Sequence, residues 1–488
     1  MRFNSTMQID DVMQRSAEAF AQYRELSPSV RAAFLETIAS EIAQVRDMLV
    51  ETAQAESNLP AARLNGEITR TTSQLQMFAN LIKEGSWVEA VIDTAKPDST
   101  PAKPDLRRML VPAGPVVVFG ASNFPFAFST AGGDTASALA AGATVVIKGH
   151  PAHPRTSLAV FEAMQKAISK SGMPAFTVQH VTGEGNAVGK ALVTHPLTTG
   201  VGFTGSLQGG KALLGYAAER EVPIPVFAEM SSINPVVFYP DALATQAEQL
   251  AQTFAGSVTL GMGQFCTNPG LLIGLKSAAL DNFVSLLGNA IAAVAPQKML
   301  HKGICEAYGK GRKHMLAQQD VVLVNESAAP ADMEAWPSLA RTTGKTFLGN
   351  PHLKEELFGP FSLLVECEDK AELLAVLKSL HGQLTTTIVG TAADTAQWKD
   401  VIAVQSTLAG RVILNNPPTG VEVCAAMVHG GPFPATSDQR FTSVGTGAIR
   451  RWVRPVCYQN FPEEMLPDAL KAANPLGIWR QIDNQFTR

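Results

Sequence analysis

The stretch PVVVFGASNFPFAFSTAGGDTASALAAGATVVIKG, residues 115–149, decides the fold. PVVVFG (115–120) is a short β-branched run that ends on glycine. DTASALAAGA (134–143) is a run of small residues at helical length, closed by a glycine. TVVIKG (144–149) is a second apolar run of strand length. Outward from this stretch the alternation continues, with RTSLAVFEAMQKAISKSG (155–172) as a helix and FTVQHVTG (176–183) as a strand. Strand, helix, strand, helix, strand demands right-handed crossovers and a mainly parallel sheet, the architecture of nucleotide-binding α/β proteins. Residues 111–148 are apolar enough to suggest a membrane span. Asn123, Pro125, Asp134 and several glycines interrupt them, so a buried strand, a loop and a buried helix are expected instead.

Upstream, residues 10–90 read as helices, with apolar residues at helical spacing in VRAAFLETIASEIAQVRDMLVETAQAE (30–56). VIDTAKPDSTPAKPD (91–105) reads as an exposed connection. Downstream, INPVVFY (233–239) opens a second α/β region that runs on through LLIGL, VVLVNE, LLVECE, LTTTIVG and RVILNN. The segment GAIRRWVRPVCYQNF (447–461) is a candidate strand in a tail too short for a core of its own, and is expected to pair with another subunit.

The 488 residues exceed what one hydrophobic core holds, so two or three domains are expected. A formal net charge of −4 speaks against nucleic acid or an anionic membrane as partner. The first twenty residues lack an apolar signal core. The five cysteines are odd in number, scattered and without a CxxC, which points to a reducing cytoplasm rather than a disulfide framework. His150 and His153 are three apart but set among prolines, and are expected to be solvated loop histidines; no metal site is expected.

Four segments carry chemistry, each with a plainer reading beside it. In VGFTGSLQGG (201–210), Gly205, Ser206 and Gly210 either cradle a phosphate at a helix start or form an ordinary glycine-rich turn. In FGASNFPFAFS (119–129), Asn123 either donates to a developing oxyanion or makes an Asx turn before Pro125. In PVFAEMSSINP (225–235), Glu229 is either a buried general base or a turn residue facing water. In GQFCTNPG (263–270), Cys266 is either a nucleophile exposed on a tight turn or a bystander; the other four cysteines read as packing residues.

SNFPF (122–126), VIKGHP (146–151), GFTGS (202–206), EMSSINP (229–235), GQFCTNPG (263–270) and ELFGP (356–360) together resemble the aldehyde dehydrogenase superfamily, in its order and from about residue 10 onward. The resemblance implies a Rossmann-like cofactor domain (1–90 and 113–229), an α/β catalytic domain (230–445) and a small β oligomerisation element (91–112 and 446–488), in a homodimer or homotetramer. It implies that Cys266 attacks the aldehyde to give a thiohemiacetal, that Asn123 and the Cys266 N–H hold the oxyanion, that hydride passes to the nicotinamide, and that Glu229 activates water against the resulting thioester. Ser206 beside Gly205 would meet the pyrophosphate, Lys148 the adenosine ribose, and Glu356 and Phe358 the nicotinamide riboside. Where many NAD-preferring members have a glutamate three residues after this lysine, Pro151 stands here. Lys148, helped by Arg155, could then pair with a 2′-phosphate, so NADP is the expected cofactor and NAD a second. GHPAHPRTS, FAEMSSINP and GQFCTNPG look most like the branch that oxidises α-ketoglutaric semialdehyde (2,5-dioxovalerate), and also like the bacterial long-chain fatty aldehyde branch. Medium or long aliphatic aldehydes are therefore the alternative substrates. CoA-acylating chemistry is a further alternative, against which Glu229 argues. Phe126 and Phe265 either line the aldehyde tunnel or belong to the core.

Overall fold

The computed structural model describes residues 6–183, 185–325 and 327–488. Among them the strands form three main sheets. The first holds five parallel strands in the order Val178–Val181, Val145–Lys148, Val116–Phe119, Gly200–Thr204 and Val226–Glu229. They are buried almost throughout, as parallel strands covered on both faces must be, and so read as unbroken β-branched runs. From Val116–Phe119 the chain first builds outward on one side and then returns to build on the other. The gap between Val116–Phe119 and Gly200–Thr204 is thus the point where the strand order reverses, where open α/β sheets bind ligands. The helix Gly133–Ala141 is made of small residues because it is buried on all sides; only Asp134 within it is not, and Arg451 pairs with it at 2.6 Å.

The second sheet has seven strands among the described residues. Its order is Val322–Leu323, Ser338–Thr343, Phe361–Cys367, Leu271–Leu275, Val236–Phe238, Gln383–Val389 and Ala409–Leu414, parallel except at the Val322–Leu323 edge. Separate apolar clusters cover its two faces. Of the expected VVLVNE strand, the final Glu326 lies outside the described residues.

The third sheet runs Val453–Gln459, Leu106–Pro112, Val91–Asp93, Arg480–Ile482 and Gln485–Thr487. It changes one expectation. The connection is not wholly irregular: Val91–Asp93 carries β-branched residues and pairs with Leu106–Pro112, leaving a loop between them. The candidate strand at 447–461 forms as Val453–Gln459, pairs on one side with Leu106–Pro112 of its own chain, and stands at the edge of the sheet among the described residues. Nor does the tail stand apart. Trp452, Leu470 and Ile478 join Phe34, Phe78 and Leu139 in one buried cluster.

The helix Ala61–Glu84 matters for the site. It starts after Pro60 and stops at Gly85, whose φ of 86° is left-handed and where a Cβ would strike Ile478. Arg63, Glu67 and Arg70 fall at i, i+4 and i+7, on one face. Buried Glu67 accepts the N–H groups of Phe126 and Ala127 at 2.8 and 2.9 Å, which fixes the segment behind Asn123. Among the described residues, no helix is long and apolar enough to cross a membrane.

Candidate active site

The carboxyl ends of the first sheet open into a cleft of about 450 Å³, closed on the far side by residues of the second sheet's loops. Asn123, Gly205, Ser206, Glu229, Cys266, Glu356 and Phe358 all line it. Seven of the twelve residues expected from the sequence, separated by as many as 235 positions, therefore meet at one place.

The Cys266 loop is held by backbone geometry. Gly261, Met262 and Gly263 are successively left-handed (φ 55°, 54° and 62°), and this turn presents Cys266 half-buried at the cleft. At Gly263 a Cβ would lie 2.2 Å from the Gly359 carbonyl oxygen, so only glycine lets the cysteine loop lie against the ELFGP loop. Asn234 donates its amide to the carbonyls of Cys266 (2.9 Å) and Asn268 (2.8 Å), tying EMSSINP to the same turn. The Asn123 amide donates to the Gln264 carbonyl at 3.2 Å, just short of the sulfur along the chain.

Glu229 ends its strand 3% exposed, which excludes the solvent-facing reading. One carboxylate oxygen lies 3.0 Å from His429 Nε2 and the other accepts the Ser443 hydroxyl at 2.8 Å. The same His429 nitrogen is 3.5 Å from Cys266 Sγ. His429 was not expected from sequence: it sits in an irregular glycine-rich stretch far from any motif, and only the fold carries it between Glu229 and Cys266. Burial pushes the Cys266 thiol well above its ordinary range, and the charge of Glu229 adds to this. Burial also pushes Glu229 upward, but His429 and the hydrogen bonds from Ser443 and Cys266 outweigh it and leave the carboxyl below its usual range. The free site thus rests as a thiol beside a carboxylate, with a proton acceptor ready for the thiol or for water. Glu229, Cys266 and His429 also place their ligand-type atoms within 4.8 Å of one another, a cluster outside the His150/His153 pair considered from sequence. Replacing His429 by phenylalanine keeps the volume but strands Glu229. It should lower kcat by about 10²-fold and shift the acidic limb of the kcat/KM profile, which a pH series on the purified variant checks.

The cofactor side fits a dinucleotide. Ser206 caps the helix Leu207–Ala218, accepting the Gly209 N–H at 3.1 Å, and Gly205 N–H bonds the Glu229 carbonyl at 3.0 Å. A Cβ at Gly205 or Gly209 would meet the Phe203 ring within 2.8 Å, so both glycines let that ring pack against the helix start, and Gly205, Ser206 and Gly209 line the cleft. Gly210 is a correction: it faces away from the cleft, and a Cβ there would strike Met230 Sδ at 2.4 Å, so its role is helix–strand packing. Lys148 ends its strand nearly buried, and burial lowers its ammonium pKa. Arg155 is drawn elsewhere, to Glu56 at 3.2 Å, and does not line the cleft. His150 does line it. His153 is fully buried rather than solvated, its Nε2 2.8 Å from the Ala121 carbonyl.

On the substrate side Phe126 is also corrected. It is 1% exposed, deep in the main core, because Glu67 holds its N–H and turns the ring inward. Two rings beside it pack with Phe265 instead: Phe124 meets Phe265 edge-on (centroids 5.6 Å apart) and Phe128 at 5.2 Å. Arg63 lies over Phe124 and Phe265 and donates to the Asn123 carbonyl at 2.7 Å. Among the other cysteines, Cys367 is buried, but Cys424 and Cys457 are exposed rather than packed.

Residues 2–303 match the aldehyde dehydrogenase family, and the chain belongs to it. It is accordingly an NAD(P)-dependent aldehyde dehydrogenase. Among its relatives, α-ketoglutaric semialdehyde dehydrogenase 2 of Azospirillum brasilense is 48% identical, over 98% of this chain and 91% of that protein. The α-ketoglutaric semialdehyde dehydrogenase of Acinetobacter baylyi is 47% identical, over 99% and 92%. The fold is shared with the γ-glutamyl-γ-aminobutyraldehyde dehydrogenase of Burkholderia cenocepacia (TM-score 0.78, 21% identity, 92% of this chain and 88% of that one).

Proposed function

We propose that the protein oxidises α-ketoglutaric semialdehyde to α-ketoglutarate with NADP, through a thioester on Cys266. The observation that supports this most is the near-full-length identity of 48% and 47% to two enzymes that bear that activity in their names. Cys266 Sγ, its proton passed to Glu229 directly or through His429, adds to the aldehyde carbon while the carbonyl pair moves onto oxygen. The Asn123 amide, which donates to the Gln264 carbonyl at 3.2 Å here, and the Cys266 N–H would donate to that oxygen. The bound nicotinamide supplies the hydride acceptor. Glu229 then takes a proton from water, whose oxygen attacks the thioester carbon; the S–C bond breaks and the acid leaves. Pro151 and the buried cation Lys148 favour NADP, with NAD as the weaker cofactor. Three phenylalanines along the approach favour aliphatic aldehydes as the second reading. Val453–Gln459 is a sheet-edge strand among the described residues, suited to a homo-oligomer contact in a cytoplasmic enzyme. The test is NADPH formation from the semialdehyde and from a C2–C14 aldehyde series, each with NADP and NAD. Highest kcat/KM for the semialdehyde with NADP is expected; a tenfold preference for NAD overturns the cofactor assignment, and higher values for long aldehydes overturn the substrate.

Glu356 gives this reading a pH signature. Burial pushes its carboxyl up to about 7, offset by bonds from Ser231 and Ser232 and increased by the charge of Glu229. Its ionised form is the acceptor for ribose hydroxyls. Because its pKa is raised, that form is half populated at about 7, grows above it and is lost as pH falls. The NADP Kd should rise by up to about tenfold per pH unit below that point, and Glu356→Gln should flatten the curve. Fluorescence titration without aldehyde measures both, and a flat wild-type curve removes the role.

A further inference from the structure

We propose that Arg70 receives the far carboxylate of an acidic aldehyde, bonding it doubly through the Nε–Nη2 edge of its guanidinium. The inference rests on the semialdehyde reading and supplies its recognition residue.

A carboxylate that comes to rest beside the packed rings of Phe124, Phe128 and Phe265 loses its hydration and needs donors that are not already committed. Three arginines stand on this side of Cys266. Arg63 is held over two aromatic rings, its Nη2 on the Asn123 carbonyl, and leaves one buried group, Nη1, without a partner. Arg411 gives both Nη groups to the carbonyls of Gly420 and Pro418. Arg70 differs. Only its Nη1 is engaged, on the Val421 carbonyl at 2.5 Å, while Nε and Nη2 are buried with no hydrogen-bond partner. These two N–H groups lie on one edge of the guanidinium plane and point in parallel, at the spacing of the two oxygens of a carboxylate. Two unmet donors on a buried cation are costly unless a ligand completes them.

Position agrees with this. The Arg70 guanidinium lies 5.8 Å from the centre of the Phe128 ring, that ring is 6.3 Å from His429, and His429 is 3.5 Å from the sulfur. Burial lowers the Arg70 pKa, and the nearby carboxyl groups of Glu67, Glu422 and Glu229 act against it. Glu67 gives one oxygen to backbone N–H groups and keeps the other, Oε2, buried without a hydrogen-bond partner; neither bonds Arg70. A short chain fixed to the sulfur by one end crosses the Phe128 face to place its carboxylate on the open edge. A long aliphatic tail would meet the unsatisfied cation instead, which selects against it.

The test compares wild type, Arg70→Met and Arg70→Lys with α-ketoglutaric semialdehyde and with pentanal, a neutral aldehyde of equal length. It also measures inhibition of pentanal oxidation by 2-oxoglutarate. In Arg70→Met the semialdehyde kcat/KM should fall about 100-fold through KM, with a far smaller change for pentanal. The 2-oxoglutarate Ki should rise in parallel. Arg70→Lys, which keeps charge without the paired donors, should lie between. Equal losses for both aldehydes, or a semialdehyde KM that does not move, overturn the proposal. If wild type does not prefer the semialdehyde but 2-oxoglutarate inhibits in an Arg70-dependent way, the acid site stands and the substrate reading falls. If 2-oxoglutarate inhibits all three proteins equally, Arg70 is not the site.

Discussion

Cys266→Ala should reduce aldehyde oxidation by at least about 10⁴-fold, because removing a covalent nucleophile leaves only binding and electrostatics. The loss is expected in kcat for every aldehyde and for both cofactors, with NADP binding retained. The sulfur sits on a turn whose shape comes from Gly261, Met262, Gly263 and the Asn234 bonds, none of which involve the side chain. The variant should therefore fold and unfold much as wild type does. Burial and Glu229 raise the thiol pKa, so alkylation of wild type by iodoacetamide should be slow near neutrality and accelerate as pH rises. It should also be absent at this position in the variant, as peptide mass mapping would reveal. Activity above about a hundredth of wild type in the alanine variant would assign the chemistry to another group.

Glu229→Gln should separate the two halves of the reaction. Glutamine keeps the shape and the Ser443 contact but cannot take a proton. Acylation of Cys266 should slow less than deacylation, so one equivalent of NADPH per subunit appears as a burst and steady turnover drops by about 10²–10⁴-fold. Intact-protein mass spectrometry during the burst should find the acyl group on Cys266. Added hydroxylamine, which attacks thioesters without a general base, should restore release. If burst and steady rates fall together, Glu229 is needed first for the thiol, and His429 is not sufficient to carry that proton.

How much of this was legible beforehand depended on the range of the interactions. The parallel sheet could be read because Val116–Phe119 and Val145–Lys148 are short, buried and punctuated by glycine, all local signals. Cys266, Glu229 and Asn123 could be singled out by chemistry and neighbours, and the fold places all three on one cleft. Phe126 and Phe124 differ by two positions, and nothing local says which ring turns inward; the decision belongs to Glu67, fifty-nine residues away. Gly210 and Gly209 differ by one, and the neighbour that decides is Met230. His429 and Arg70 carried no local signal, since their roles come from what the fold brings to them. Arg155 read as a free cation because its partner Glu56 lies on a helix nearly a hundred residues earlier.

The tail that packs Trp452, Leu470 and Ile478 among Phe34, Phe78 and Leu139 has a consequence for how the chain is made. The helices around the first sheet emerge early, yet their shared interior lacks these plugs until residues 452–478 have been synthesised. At roughly 5–20 residues per second the wait after residue 229 is roughly 10–50 s. During that interval the early helices lack the side chains that complete their shared apolar interior.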